Sequence, residues 1–165
     1  MAGTSIRDPL TFRVASERMS VDSEVEILLV EDDANDVELT LRAFKSRNFA
    51  NQVFVARDGA EALAYFFGEQ GHPLKEFGVT PRVILLDLKL PKVDGLEVLK
   101  RLKSDERTRS LPVVVLTSSR EEPDITAAYR LGANSYIVKP VDFESFARAV
   151  SEVGLYWVLL NELPR

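Results

Sequence analysis

Five short apolar runs, each followed by a stretch with helical spacing, constrain this chain more than any other feature in its sequence. Ile27-Leu28-Leu29-Val30 leads into Val37, Leu41 and Phe44, which are spaced i, i+4, i+7. Val53 to Ala56 precedes a helical Asp58 to Phe67, and Val83 to Leu86 precedes Leu96, Leu99 and Leu102. Val113 to Leu116 precedes a helix near Ile125 to Leu131, and Tyr136-Ile137-Val138 precedes Phe143, Phe146, Ala147 and Val150. Val83-Ile84-Leu85-Leu86 shows no alternation of polar with apolar and so predicts a strand covered on both faces, as in a parallel sheet. Parallel strands need helical crossovers, and the pattern therefore specifies a doubly wound α/β sheet of (βα)5 type. Pro81 and Pro112 stand just before strands, where a missing amide hydrogen does little harm.

Residues 1 to 24 lack any sustained period and read as an N-terminal extension, residues 25 to 150 as the domain, and 151 to 165 as an apolar continuation of the last helix. Gly68 to Thr80 is longer than a tight helix-to-strand turn and reads as a surface insertion.

The 165 residues and 45% hydrophobic content suit one globular domain with a real core. No cysteine is present, which removes disulfides and thiolate metal sites, and the single His72 excludes histidine-rich metal centres. No apolar stretch reaches the roughly 18 residues of a membrane span, and a cytoplasmic location is expected. A net charge of −5 disfavours nonspecific attraction to nucleic acid. Lys100-Arg101-Leu102-Lys103 is soon followed by Asp105 and Glu106 and reads as a solvated helix face.

Polar residues fall where the strands end. An aspartate after one strand, such as Asp87, is ordinarily a turn cap. Here, however, the first strand ends in Glu31-Asp32-Asp33, the third in Asp87, the fourth in Thr117-Ser118-Ser119 and the fifth in Lys139-Pro140. In an open α/β sheet these ends share one edge, where ligands bind. Two like charges about 4 Å apart repel by roughly 4 kcal/mol at an effective dielectric near 20, so clustered carboxylates need protons or a cation. Lys139 supplies one positive charge, and an all-oxygen donor set beside a phosphate favours Mg²⁺ over zinc.

Asp32-Asp33, Asp87 with "LPKVDG" after it, Thr117 and Lys139-Pro140 resemble the signature of response-regulator receiver domains of two-component signalling, in matching order and spacing. The resemblance spans residues 25 to about 150 and implies a flavodoxin-like sheet with strand order 2-1-3-4-5. It also implies that Asp87 accepts a phosphoryl group from a histidine kinase. Asp33 and Asp87 would bind Mg²⁺ directly together with the backbone carbonyl of Lys89, and Asp32 would act through metal-bound water. Lys139 would pair with one phosphoryl oxygen and Thr117 with another, while Tyr136 would serve as an aromatic switch. A cis bond before Pro140 would aim Lys139 into the site. Lys89, two residues past Asp87, departs from the expected pattern and bears on dephosphorylation; Glu31 reads as strand-end filler.

Two rival readings remain: a phosphohydrolase acting on small metabolites, disfavoured by lysine at position 89, and a receiver-like interaction module that is never phosphorylated. No output domain follows within the 165 residues, so signalling is expected through protein contacts. Six consecutive apolar residues follow Gly154, more than one core covers on every side of a helix. Leu155, Trp157, Val158 and Leu160 are the expected interface of a homodimer. The ending "GLYWVLLNELP" and the long loop before Pro81 further resemble single-domain receivers associated with phytochrome-type sensor kinases, which makes such a light-sensing kinase the expected partner.

Overall fold

A computed structural model describes residues 25–46, 53–68 and 80–164. The expectations for residues 1–24, and for most of the Gly68 to Thr80 connection, lie outside the described residues. The elements alternate as expected: β1 (Ile27–Val30), α1 (Ala34–Ser46), β2 (Val53–Ala56), α2 (Gly59–Phe67), β3 (Val83–Leu86), α3 (Gly95–Ser104), β4 (Val113–Thr117), α4 (Glu122–Leu131), β5 (Ser135–Val138) and α5 (Phe143–Gly154). All strands are parallel, in the order β2-β1-β3-β4-β5. The reversal of winding direction beside β1 is the point at which such sheets open a crevice.

The lack of alternation in the strands has a direct structural counterpart. Leu28, Val30, Ile84, Leu86, Val113 and Val115 face a core closed by α2, α3 and α4 through Ala62, Tyr65, Val98, Leu102 and Ala128. Their neighbours Ile27, Leu29, Val83, Leu85, Val114 and Leu116 face the opposite core, closed by α1 and α5 through Val37, Phe44, Phe146 and Val150. Since successive strand side chains point to opposite faces, the central strands β1 and β3, buried between two cores, are apolar throughout and turn polar only where they end.

Helix starts follow from local chemistry. Asp58, Asp94 and Asp142 accept hydrogen bonds from the amides of Glu61, Leu96 and Ser145 respectively, satisfying helix-terminal donors. Helix α4 starts three residues earlier than its apolar spacing suggests, at Glu122, with Pro123 in its first turn, where a proline costs no hydrogen bond.

The basic stretch divides by residue. Lys100 and Arg101 are exposed, as a solvated face requires, and the Arg101 guanidinium lies 5.4 Å from the centre of the Phe67 ring. Lys103 instead turns inward to donate to the carbonyls of Arg109 (3.1 Å) and Leu111 (2.7 Å) and to Asn134 Oδ1 (3.2 Å). Burial holds its pKa below the ordinary lysine value.

After α5 the chain widens into a π-helical turn, Leu155–Leu160, closed by the Asn161 amide donating to the Tyr156 carbonyl at 2.8 Å. The expected interface residues separate here. Val158 is buried at 3% exposure in the α1/α5 core, its carbonyl accepting from the Arg82 guanidinium at 3.3 Å, and Trp157 packs against the same core. Val158 therefore belongs to the domain and not to an exposed interface, because the wider turn brings it round onto the sheet. Leu155, Tyr156, Leu159 and Leu160 are exposed. Among the described residues no helix is long and apolar enough to cross a membrane.

Candidate phosphoryl-acceptor site

Strand register builds the site. Val30 of β1 is paired with Leu86 of β3, so Glu31 and Asp87 are the next residues along two neighbouring strands. The Asp87 amide donates to the Val30 carbonyl at 3.0 Å and the Glu31 amide to the Ala56 carbonyl at 3.0 Å, so both residues leave the sheet with their backbones still held. The last β4–β5 pair, Thr117 with Val138, places Lys139 just beyond it, and the Lys139 amide donates to the Thr117 carbonyl at 2.8 Å.

The side chains converge on the lysine. Lys139 Nζ donates to Glu31 Oε2 at 2.5 Å, to Asp36 Oδ2 at 2.8 Å and to Asp87 Oδ2 at 2.9 Å. Glu31, Asp32 and Asp87 each offer one carboxylate oxygen, and these lie within 4.8 Å of one another. Hard oxygen donors from three acidic residues fit a hard divalent cation, and the single lysine cannot neutralise them all.

The acidic group differs by one residue from the expected one. Asp33 is outside it: Asp33 Oδ1 accepts the amides of Asn35 (2.8 Å) and Asp36 (3.0 Å) and so caps α1. Glu31 takes its place beside Asp87 and is no filler; β1 ends at Val30, which makes Glu31 the first side chain to clear the sheet. Glu31 Oε1 also accepts the Asp33 amide at 3.1 Å. Asp36, which the sequence did not single out, is the other unforeseen member; its one signal is a carboxylate in the first turn of the helix that follows the acidic run.

Electrostatics follow from burial. Burial pushes the Glu31 carboxyl up to about 7, and the nearby Asp87 charge adds to this, against the opposing hydrogen bond from Lys139. For Lys139, burial alone would lower the pKa; hydrogen bonds to Asp36 and Glu31 and the Asp87 charge outweigh it and hold the ammonium above its ordinary value.

Thr117 is fully buried, and Ser119 follows it with its hydroxyl donated to Asp124 Oδ2 at 2.5 Å. Tyr136 is half-buried against the core, and its hydroxyl donates to the Ser119 carbonyl at 3.0 Å. Burial raises its phenol pKa. Lys89 is exposed, with its amide 3.4 Å from Asp87 Oδ1. No cis peptide bond occurs among the described residues, so the expected cis bond before Pro140 is absent. With the ordinary trans linkage, Lys139 reaches the acidic group, where its three carboxylate partners hold it.

The loop beyond Asp87 is held close by glycine. A Cβ on Gly95 would lie 2.2 Å from the Asp87 carbonyl oxygen, and one on Gly59 would lie 1.9 Å from the Val93 carbonyl oxygen. Between them Lys92 adopts φ 65°, a left-handed conformation, and its ammonium reaches Asp58 Oδ2 at 3.2 Å.

The family model of the response regulator receiver domain matches residues 27–151. This chain belongs to that family. Among its relatives, this receiver is 38% identical over 138 residues to the response regulator Rcp1 of Synechocystis sp., covering 84% of this chain and 92% of that protein. Rcp1 has a solved Mn(2+)-bound form, to which the receiver is similar with a TM-score of 0.73 and 37% identity, over 84% of this chain and 98% of that one. The phosphorylated cyanobacterial phytochrome response regulator RcpA matches with a TM-score of 0.77 and 37% identity, over 86% of this chain and 99% of that one. The bacteriophytochrome response regulator AtBRR is 52% identical with a TM-score of 0.65, over 86% of this chain and all (100%) of that one. The sheet order and the function class implied by the sequence resemblance are both those of this family.

Proposed function

We propose that this receiver is a single-domain response regulator that accepts a phosphoryl group on Asp87 from the phosphohistidine of a sensor histidine kinase. The observation that carries the reading is the Lys139 ammonium 2.9 Å from Asp87 Oδ2, at the edge of the oxygen group formed by Glu31, Asp32 and Asp87. An Asp87 carboxylate oxygen attacks phosphorus; its P–O bond forms as the donor's P–N bond breaks, and the imidazole nitrogen leaves with that electron pair. Asp32 and Asp87, with the Lys89 backbone carbonyl, are the proposed Mg²⁺ ligands, and Glu31 stands behind them. When bound, Mg²⁺ supplies positive charge to the transferring phosphoryl oxygens, the main electrostatic requirement of this chemistry.

Lys139 is held where its ammonium can donate to one phosphoryl oxygen. Thr117 donates its hydroxyl to another, and Tyr136 follows by exchanging its bond to the Ser119 carbonyl for a more buried position. The receiver's own contribution to the chemistry is self-catalysed transfer and hydrolysis of the acyl phosphate, with Lys89 beside the bond that water attacks. The partner is a cytoplasmic kinase of the bacteriophytochrome type, supported by the phytochrome associations of RcpA and AtBRR. Output passes through a homodimer that covers Leu155, Tyr156, Leu159 and Leu160, a run of exposed apolar side chains.

Incubation with phosphoramidate and Mg²⁺, read by phosphate-affinity gel mobility, is expected to label the wild type and leave Asp87→Asn unlabelled. Equal labelling of the two proteins would falsify the assignment of Asp87; no labelling of either would favour an interaction module that is never phosphorylated.

A further inference from the structure

We infer that Asp36 is a positioning residue that aims the Lys139 ammonium at Asp87. Its carboxylate is hydrogen-bonded to the lysine and stands outside the oxygen group that includes Asp87, so it acts through the lysine. The inference rests on the phosphoacceptor reading above for its effect on transfer, and on geometry alone for its effect on the lysine.

A lysine ammonium has three N–H donors and no acceptor. All three are used here, on Glu31, Asp36 and Asp87, and the Lys139 side chain is only 9% exposed. The three acceptors come from separate pieces of the fold: the end of β1, the first turn of α1 and the end of β3. One partner would leave the ammonium free to spin about its terminal bond and the four-carbon stem free to swing. Two fixed partners, Glu31 and Asp36, determine where the third N–H points, and it points at Asp87 Oδ2.

Asp36 is built to serve as such an anchor. Its amide is held by Asp33 Oδ1 at 3.0 Å, and its carbonyl accepts the Thr40 hydroxyl at 2.7 Å. Its side chain is 32% exposed, in contrast to 4% for Glu31, and its oxygen is not among the three that form the Glu31, Asp32 and Asp87 group. The division of labour follows: those three oxygens suit a cation, while Asp36 serves the lysine. When Asp87 becomes an acyl phosphate, two of the three acceptors are unchanged, so the ammonium stays in place and its remaining donor meets a phosphoryl oxygen without a search.

The test has two arms. Without any phosphodonor, the Lys139 ammonium signal in lysine-¹⁵N-labelled protein, identified by its disappearance in Lys139→Arg, is expected to be resolved in the wild type. It is expected to broaden through solvent exchange in Asp36→Ala and to recover in Asp36→Glu; a signal unmoved by Asp36→Ala overturns the inference whether or not the protein is phosphorylated. With phosphoramidate and saturating Mg²⁺, Asp36→Ala is expected to slow labelling roughly 10- to 100-fold, the loss typical of a misplaced catalytic group. Asp36→Asn, which keeps the shape and one acceptor oxygen, is expected to retain an intermediate rate and guards against a folding artefact. In a Lys139→Ala background Asp36→Ala should cost nothing further, since it acts only through the lysine. A full, independent loss in that background overturns the inference; a wild type that is never labelled overturns the phosphoacceptor reading together with any role of Asp36 in transfer.

Discussion

Glu31 Oε2 lies 2.5 Å from Lys139 Nζ, a bond that joins the ends of β1 and β5 across 108 positions of sequence. Both partners are nearly excluded from water, with side-chain exposures of 4% and 9%. The pair is thus a buried charge contact beside two further carboxylates, and its strength depends on which groups carry protons.

The folded Glu31 carboxyl titrates at about 7, above its ordinary 4.5, so the folded state binds that proton more tightly than the unfolded state. Its contribution to stability is fully present below the unfolded value and is lost as pH rises through about 7. The loss is on the order of 3 kcal/mol, taking 1.36 kcal/mol per pH unit. Urea denaturation at a series of pH values between 4.5 and 7.5 should therefore show a falling contribution in the wild type that is missing from Glu31→Gln. Identical slopes in the two proteins would exclude Glu31 as the group responsible.

Gly95→Ala should damage both fold and site. The added Cβ would sit 2.2 Å from the Asp87 carbonyl oxygen and 2.5 Å from the Leu88 Cα, both backbone atoms with no side-chain freedom. Helix α3 and the loop after Asp87 have to separate, at a cost of about 2 kcal/mol or more. Chemical denaturation measures it, and a change below about 0.5 kcal/mol, the range of neutral surface substitutions, would show that the loop yields easily.

The π-helical tail predicts a separation of stability from association. Val158→Ala opens a void in the α1/α5 core and should cost about 2 kcal/mol with little effect on self-association. Leu160→Ser changes a side chain that is 65% exposed, so it should leave stability nearly unchanged and shift sedimentation toward monomer. A wild type that sediments as a monomer with and without phosphoramidate would remove the proposed homodimer.

Lys103→Met keeps the stem of the side chain and deletes its charge. The carbonyls of Arg109 and Leu111 and the Asn134 side chain lose their shared donor, and Asn134 Oδ1 also accepts the Val113 amide at the start of β4. The expected destabilisation is about 1–2 kcal/mol, with phosphoramidate labelling intact because the partners of Lys103 precede β4 and β5, at the opposite ends of those strands from the site. A labelling defect as large as that of Lys139→Ala would contradict this.

The architecture was legible in the sequence because its cause is local and repeated. Uninterrupted apolar runs can be satisfied only by a sheet covered on both faces, and the polar residues that end them mark the edge at which a site forms. Asp32, Asp87 and Lys139 fall together on that ground, each just past the end of a strand.

Which acidic residue did which task was decided only by tertiary structure. Glu31, Asp32 and Asp33 are chemically similar neighbours, and a shift of one residue changes which of them faces the lysine and which caps the helix. That shift is set by the pairing of Val30 with Leu86 and by the exact start of α1, and neither is written in the composition of the run itself. Asp36 enters the site for the same reason, since a helix must turn before its carboxylate can meet an ammonium carried by β5. Val158 went the other way: its apolar character suited an interface equally well, and the widened turn after Gly154 put it inside. Chemical type is a property of each residue, whereas direction belongs to the backbone that carries it, and the backbone is fixed by contacts between segments far apart in the chain.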